Sequence, residues 1–591
     1  MCGLAGEIRF DKRPASITNV NRMVKAMNRR GPDDKGIYAN HKSVFGHARL
    51  KIIDLSGRSH QPMHDPQLRL TLVFNGCIYN HRELRGELEG KGYRFFSDGD
   101  SEVVLKAYHA WGNRCVEHFN GMFAFVLFEN ETEKVFMARD RLGIKPLYFH
   151  KTPGALRFAS TLPALLKSMS STPGIDPVAL HHYMSYHSVI PAPLTLIKDV
   201  KKLQPASTIT FEPWGTFTQR NYWRPDFRKA AADDFVHDEE TLKSAVLEEM
   251  RRAVKARMTA DVPVGVLLSG GVDSSLIVGL LAEAGHGDLR TFSIGFEDTI
   301  QEPGNEFMYS DIVASEFATT HERIVIKRRE MLDNLESCIH SMSEPMISHD
   351  NIGFYLLGKY VSRHVKVVQS GQGADEIFGG YFWYKDMENS LDPVRDYSNT
   401  FFDRDHHEFR LAVNSPYVKD DFSREFVAEH FSQPGADDPV DKALRIDLTV
   451  MLVDDPVKRV DNMTMAWGME ARVPFLDHNV VELAARIPPQ LKIRNGGKYI
   501  LKEAARQVIP AAVIDRKKGY FPVPELKYIN GEVLDYVRDV LHSSSARQRN
   551  IFKPEYLDTL LDEPEAHITN LQCSKLWQIA TLEIWLQSHG I

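Results

Sequence analysis

This sequence predicts two layered domains of different construction: an α+β half, followed by an α/β half that ends in helix. Three observations carry that reading. A chain of 591 residues is longer than one hydrophobic core organises. The first two hundred residues alternate short β-rich runs with helical stretches and show no βαβ regularity, which points to layers of antiparallel sheet and helix. Beyond about residue 239, apolar strands alternate with helices, the pattern of a parallel sheet covered on both faces.

Taken in order, "LTLVFNGCIYN" and "FAFVLFENETEKVFMARDRLGIKPLYFH" read as strands with Asn- and Gly-bearing turns. "HRELRGELEGKGY" and "SEVVLKAYHAWG" read as helices between them. "FEPWGTFTQRNYWRPDFRKAAADD" reads as a connector, with Pro, Gly and mixed charge. The expected division is therefore a first domain over 1–214, a linker over 215–238 and a second domain over 239–591. A helix starts near Glu239, because Leu242, Val246, Met250 and Val254 recur every fourth residue. "VGVLL", "LRTFSIGF" and "VKVVQSG" are short buried strands, and "SSLIVGLLAEAG" is the helix after the first. The last hundred and fifty residues read mainly as helix. The segment 382–446 mixes aromatics with many charges and reads as a solvated helical insert or as a surface that helps choose a substrate.

Composition narrows the function classes. A hydrophobic content of 43% and a charged content of 26% are those of an ordinary globular protein. With 72 basic against 79 acidic residues, and no Lys/Arg tract, nucleic-acid and membrane partners are not expected. The start has no basic segment followed by an apolar run, so no signal peptide is expected. No apolar run is long enough for a transmembrane helix. Five scattered cysteines without a CxxC pair argue against zinc and against a disulfide framework. Reduced thiols in a cytoplasm fit best.

The strongest local signal is "LLSGGVDSS", residues 267–275. It follows an apolar strand and precedes an apolar helix. Its glycines let backbone approach an anion, its serines add hydroxyls, and the helix start supplies free N–H groups. No lysine follows, so it is not a GK[ST] loop. The SGGxDS spacing is similar to the pyrophosphate loop of enzymes that split ATP to AMP and pyrophosphate. The candidate ATP residues are Leu267, Ser269, Gly270, Gly271, Asp273, Ser274 and Ser275. Ile294 and Gly295 end the next strand, and Ser370 and Gly371 open "SGQGADEIFGGY" after the third. Asp273 and Asp375 are the expected Mg²⁺ ligands, because Mg²⁺ takes carboxylate and phosphate oxygens together. Lys498 and the cluster Arg516, Lys517, Lys518 are candidates to meet phosphate charge in the transition state.

Several motifs stand in one order along the chain: "MCG", "RRGPDDKG", "GHARLKIIDLS", "FNGCIYN", "GDSEV" and "ARDRLGIKPLY", then "SGGVDSS", "SGQGADEIFGGY", "RVDNMTMAWGMEARVPFLD" and "KYILKEAARQVIP". In this the full length resembles the glutamine-hydrolysing asparagine synthetase family. The resemblance implies an N-terminal-nucleophile αββα sandwich followed by a pyrophosphate-loop synthetase domain. It implies Cys2 as nucleophile, exposed at the chain start once Met1 is removed. A free α-amine has a pKa of about 7.7–8 and a thiol about 8.5, so the two exchange a proton at little cost. It implies Asn75 and Gly76 as the oxyanion hole, and Arg49, Leu50, Ile52 and Asp100 around bound glutamine. It also implies ATP, Mg²⁺, an internal ammonia channel and often a homodimer.

Two positions depart from the family pattern. Cys77 stands where many members have glutamate, which leaves more of the ammonium's charge to Asp100. Gln372 stands where asparagine synthetases commonly have an acid, in SGEGSDE. Glutamine cannot pair with the ammonium of free aspartate, whereas an acceptor with a blocked amine needs no such partner. "SEPMISHDNIGFYLL" and "VIDRKKGYFPVPELK" look most like family members that amidate N-acetylglutaminylglutamine, a route to an osmoprotectant. The expected acceptor is that dipeptide, with aspartate the alternative.

Overall fold

The computed structural model describes residues 2–171, 173–228, 238–297, 305–516, 519 and 524–591. In chain order the first twelve strands are β1 (Gly3–Arg9), β2 (Asp34–Ala39), β3 (Ser43–Arg49), β4 (Met63–Asp65), β5 (Leu70–Ile78), β6 (Gly121–Glu129), β7 (Val135–Arg139), β8 (Tyr148–Thr152), β9 (Ala155–Ala159), β10 (Val200–Lys202), β11 (Ser207–Phe211) and β12 (Phe217–Asn221). They form two six-stranded sheets, ordered β10-β8-β9-β1-β3-β2 and β12-β11-β7-β6-β5-β4.

Strand alternation makes the layers. Leu4, Ile8, Phe45, Val73, Val126, Phe128 and Phe158 share one apolar cluster between the sheets. Ala5, Val44 and Ala48 face the other way, onto the helices Ile17–Ala26 and Pro177–Ser185. The helix Asp100–Trp111 covers the outer face of the second sheet through Val103, Val104 and Ala107. The result is the αββα sandwich. The expected connector behaves differently at its start. Residues 217–221 pair with β11 as the edge strand β12, because Thr and Phe in an exposed edge need only one partner strand.

The second half is built on a parallel sheet, β13 (Val264–Leu267), β14 (Arg290–Phe296), β15 (Thr320–Ile326), β16 (Val367–Gln369) and β17 (Glu470–Arg472), ordered β15-β14-β13-β16-β17. All four pairings are parallel. The helix Glu239–Ala256 buries Leu242, Val246, Met250 and Val254, the stripe its periodicity predicts. Segment 382–446 is helical, but its aromatics turn inward: Tyr384, Tyr397, Phe401 and Phe409 are buried. No helix among the described residues is long and apolar enough to cross a membrane.

Buried ions hold the halves together. Asp461, on the helix Pro456–Met465, receives Arg30 at 2.8 Å and Lys145 at 3.1 Å from the first half. Lys202 reaches Glu344 at 2.9 Å and Asp454 at 2.6 Å. Burial favours the neutral form of Asp461, but Arg30 and Lys145 outweigh it and hold the carboxyl below its ordinary range. Breaking such a pair strands charge in the interior. Asp461→Asn is expected to destabilise the protein by about 3–5 kcal/mol, read as a lowered urea midpoint. Glu131→Gln, whose partner Arg69 is largely exposed, is expected to leave that midpoint nearly unchanged.

Candidate active sites

Cys2 precedes β1, and the pairing of β1 with β3 brings it to a small cavity. The wall includes Cys2, Arg49, Leu50, Ile52, Gly76, Cys77, Asp100, Glu470 and Arg472. The Cys2 nitrogen donates to Asn75 Oδ1 at 3.0 Å. This leaves Asn75 Nδ2, which is buried and has no hydrogen-bond partner. A buried amide N–H₂ without a partner is a donor available to a bound group.

Burial alone would push the Cys2 thiol up. His47, the positive chain terminus and the Leu50 backbone pull it further the other way, to about 7. Cys77, equally buried, is pushed well above the ordinary thiol range: burial dominates, and Asp100 and Glu470 work against the opposing pull of Arg472 and the chain terminus. Arg49 is held by the carbonyls of Ser56 at 3.0 Å and Asp54 at 2.6 Å, and by no carboxylate among the described residues. Its charge is directed at the cavity rather than cancelled. Asp100 accepts the Ile78 N–H at 3.0 Å, and burial raises its pKa. Glu470 differs: burial would neutralise it, but Arg472 at 2.6 Å keeps it ionised.

The larger cavity, ≈ 580 Å³, lies at the carboxyl ends of β13, β14 and β16, where open α/β sheets bind ligands. Its wall includes Leu267, Ser269, Gly271, Asp273, Ser274, Ile294, Gly295, Ser370, Gly371, Gln372, Asp375 and Lys498. The loop after β13 is shaped from within. Ser274 Oγ accepts the Ser269 N–H at 3.2 Å. Gly270 has φ +72°, and a Cβ there would lie 2.6 Å from the Ser310 nitrogen. Gly270 therefore makes the turn without lining the cavity. Ser275 also lies off the wall, fully buried inside the helix Val272–Glu283.

Lys498 carries the charge of this cavity. Its Nζ lies 2.7 Å from Asp273 and 2.9 Å from Asp375. Burial would release its proton, but the two carboxylates outweigh that and hold it firmly protonated. The neighbouring Glu376 is pushed up to about 8 by burial and by Asp375. Two carboxylates converging on one cation, beside a serine–glycine loop, form a hard oxygen donor set. Such donors fit Mg²⁺ shared with phosphate oxygens. Arg516 pairs with Glu306 at 3.0 Å and stacks on Tyr309 at 4.4 Å in the same wall. Lys517 and Lys518 lie outside the described residues. No residue of 382–446 lines this cavity among the described residues.

Sequence reasoning passed over His47, Glu470, Arg472 and Asp350. The first three stand inside the quoted motifs "GHARLKIIDLS" and "RVDNMTMAWGMEARVPFLD". Membership of those motifs was the available signal; the charges of "MEAR" do not by themselves read as buried. Asp350 lines the large cavity from the start of the helix Asp350–Val361, and it stands inside the quoted stretch "SEPMISHDNIGFYLL".

Residues 1–223 match the family model described as a glutamine amidotransferase domain, and residues 245–587 the model described as asparagine synthase. Among curated proteins, asparagine synthetase [glutamine-hydrolyzing] 1 of Bacillus subtilis is 32% identical, over 99% of this chain and 96% of its own. Asparagine synthetase B of Escherichia coli is 29% identical, over 84% of this chain and 77% of its own. A putative asparagine synthetase of Methanocaldococcus jannaschii is 35% identical, over 64% and 76%.

The electrostatics at Cys2 give a test. With His47 gone, burial dominates and the thiol pKa rises. The alkylation rate of Cys2 by iodoacetamide in His47→Gln is expected to reach its half-maximum roughly one pH unit or more above the wild-type value near 7. An unshifted profile would remove His47 from the site.

Proposed function

Since the chain belongs to the glutamine-hydrolysing asparagine synthetase family, we propose that its two cavities carry two stages of one amide synthesis, with N-acetylglutaminylglutamine as the acceptor. The chain is a glutamine-dependent amide ligase that uses ATP. The roles assigned below are this proposal's own.

With Met1 removed, the nitrogen that donates to Asn75 becomes the α-amine of Cys2. It takes the thiol proton, and the thiolate attacks the side-chain carbonyl carbon of glutamine. Asn75 Nδ2 and the Gly76 N–H receive the oxyanion. The C–N bond breaks, the α-ammonium returns its proton, and ammonia leaves. Water then hydrolyses the thioester to glutamate and frees Cys2. Arg49 binds the glutamine α-carboxylate. Asp100 and the ionised Glu470 face the α-ammonium, and Glu470 supplies the negative charge that Cys77 does not.

In the second cavity, an acceptor carboxylate oxygen attacks the ATP α-phosphorus, and pyrophosphate leaves. Ammonia attacks the resulting acyl-adenylate, AMP departs, and the amide forms with loss of a proton. The loop after β13 cradles the pyrophosphate. Asp273 and Asp375 would hold Mg²⁺, which neutralises phosphate charge when bound. Lys498, fixed between these carboxylates, stays protonated and meets the charge that builds on the leaving pyrophosphate.

The observation that carries the acceptor is Gln372 in the cavity wall. A neutral amide there offers hydrogen bonds but no counter-charge, which suits an N-acetylated amine. Aspartate is the second reading. It is favoured by the names of the relatives and by Asp350, an acid in the same wall.

Pyrophosphate release with glutamine and MgATP, measured with the dipeptide and with aspartate, separates the two. Release with the dipeptide alone is expected, together with its amide by mass spectrometry. Gln372→Glu is expected to lower the rate with the dipeptide. Release with aspartate alone would overturn the acceptor assignment and leave the ligase reading intact. For the first stage, Cys2→Ala is expected to lose at least ~10³-fold in glutamine-dependent synthesis while retaining synthesis from ammonium chloride. Equal loss from both nitrogen sources would contradict the division of labour.

A further inference from the structure

Three helices bring together side chains that neither reaction uses. His181 lies on the helix Pro177–Ser185 and is 1% exposed. Its Nε2 is 3.1 Å from Nδ1 of His406, the first residue of the helix His406–Ala412. The same nitrogen is 3.9 Å from Oδ1 of Asp421, the N-cap of the helix Phe422–Ser432. The three ligand atoms lie within 4.8 Å of one another.

The second ring nitrogen of His181 decides what the first can do. His181 Nδ1 is 2.9 Å from Ser423 Oγ, and His182 Nδ1 is 3.1 Å from the same oxygen. A serine hydroxyl has one hydrogen and two lone pairs. It can satisfy both histidines by accepting the His181 Nδ1–H and donating to His182. In that tautomer His181 Nε2 carries a lone pair, on the side of His406 and Asp421. Metal-bound histidines are oriented in this way, the distal N–H held by an oxygen. Phe409 lies 4.5 Å from the His181 ring and Phe422 stands edge-on at 5.9 Å, so the inner side of the cluster is dry. His406 and Asp421 are partly exposed, so the outer side is open.

We propose that His181 Nε2, His406 Nδ1 and Asp421 form a binding site for a borderline divalent transition-metal ion, of which zinc is the reference, with a fourth position open to water. Tetrahedral zinc with bonds of about 2.0–2.1 Å sets neighbouring ligand atoms about 3.3 Å apart; the two histidine nitrogens are at 3.1 Å, whereas Asp421, 3.9 Å from His181 Nε2, has to close in on the ion. Two imidazoles and one carboxylate suit zinc better than Mg²⁺ or Ca²⁺. The ion would clasp 382–446, which supplies His406 and Asp421, to the helix that supplies His181 in the first half. Cysteine spacing carries no information about such a site, because its ligands come from three separate helices.

The test uses the full chain, stripped with a chelator and titrated with Zn²⁺ against a chromophoric competitor. One zinc per chain is expected, and a zinc-dependent rise in melting temperature. His406→Gln and Asp421→Asn are expected to weaken binding by roughly 100-fold and to abolish the rise. Both residues are partly exposed, and Asn at 421 retains the helix cap, so both variants should fold. Co²⁺ is expected to give visible d–d bands in the wild type that these variants lack. Absence of stoichiometric zinc in the wild type, or unchanged binding in both variants, would reduce the cluster to a histidine–histidine hydrogen bond and overturn the proposal. Glutaminase activity of the stripped chain is not expected to change.

Discussion

Glu470 and Arg472 form an ion pair of 2.6 Å with almost no exposure on either side chain. They are the two ends of β17, the three-residue edge of the parallel sheet. Nη1 of Arg472 also donates to the carbonyls of Arg257 at 2.7 Å and Thr259 at 2.8 Å. Its own carbonyl accepts the Ser370 N–H at 2.8 Å, which fixes the start of the loop that carries Gln372. Its side chain, with that of Glu470, walls the cavity of Cys2. One short strand thus orients groups in both cavities. An unpaired charge at this depth would cost several kcal/mol, so neither residue can move without the other.

The same logic runs along the seam. Arg30 donates to the Cys2 carbonyl at 3.4 Å and to Asp461 at 2.8 Å. The Cys2 backbone is therefore tied, through one guanidinium, to a helix of the second half. Buried ions add little net stability compared with well-packed apolar groups. They are directional, however, and tolerate one register between the halves.

Much of this was legible in the sequence. Periodicity marked the helix at 239, alternation marked β5 to β8, and apolar runs with Gly-rich ends marked β13, β14 and β16. Those signals are local. The pieces that escaped are fixed by distant partners. β17 reads "EAR", with two charges in three residues, and no local rule makes that a buried strand. It is one because Glu470 and Arg472 neutralise each other. β12 looked like linker because an exposed edge strand needs no apolar face. The aromatics of 382–446 read as solvated because their charges alternate with them in sequence, whereas in space the rings face inward. Among site residues, motif order pointed to Cys2, Asn75 and Asp273. His47 acts on the Cys2 thiol only because β1 and β3 are paired.

The two cavities differ in a way that bears on how the halves communicate. The cavity of Cys2 has ≈ 30 Å³ of free space, and the other is far larger, ≈ 580 Å³. The wall of the smaller one is tied to the second half. The loop after β3, which contributes Leu50 and Ile52, is part of that wall, and it is bonded across the seam. Asp54 N–H donates to Asp261 Oδ2 at 2.7 Å, and Asp261 N–H donates to the Ile52 carbonyl at 2.8 Å. Asp261 lies three residues before β13, whose far end becomes the pyrophosphate loop. Opening the wall must break these two bonds or carry residue 261 with it. Either way, a displacement of this wall involves the segment that leads into β13, whose last residue, Leu267, lines the larger cavity.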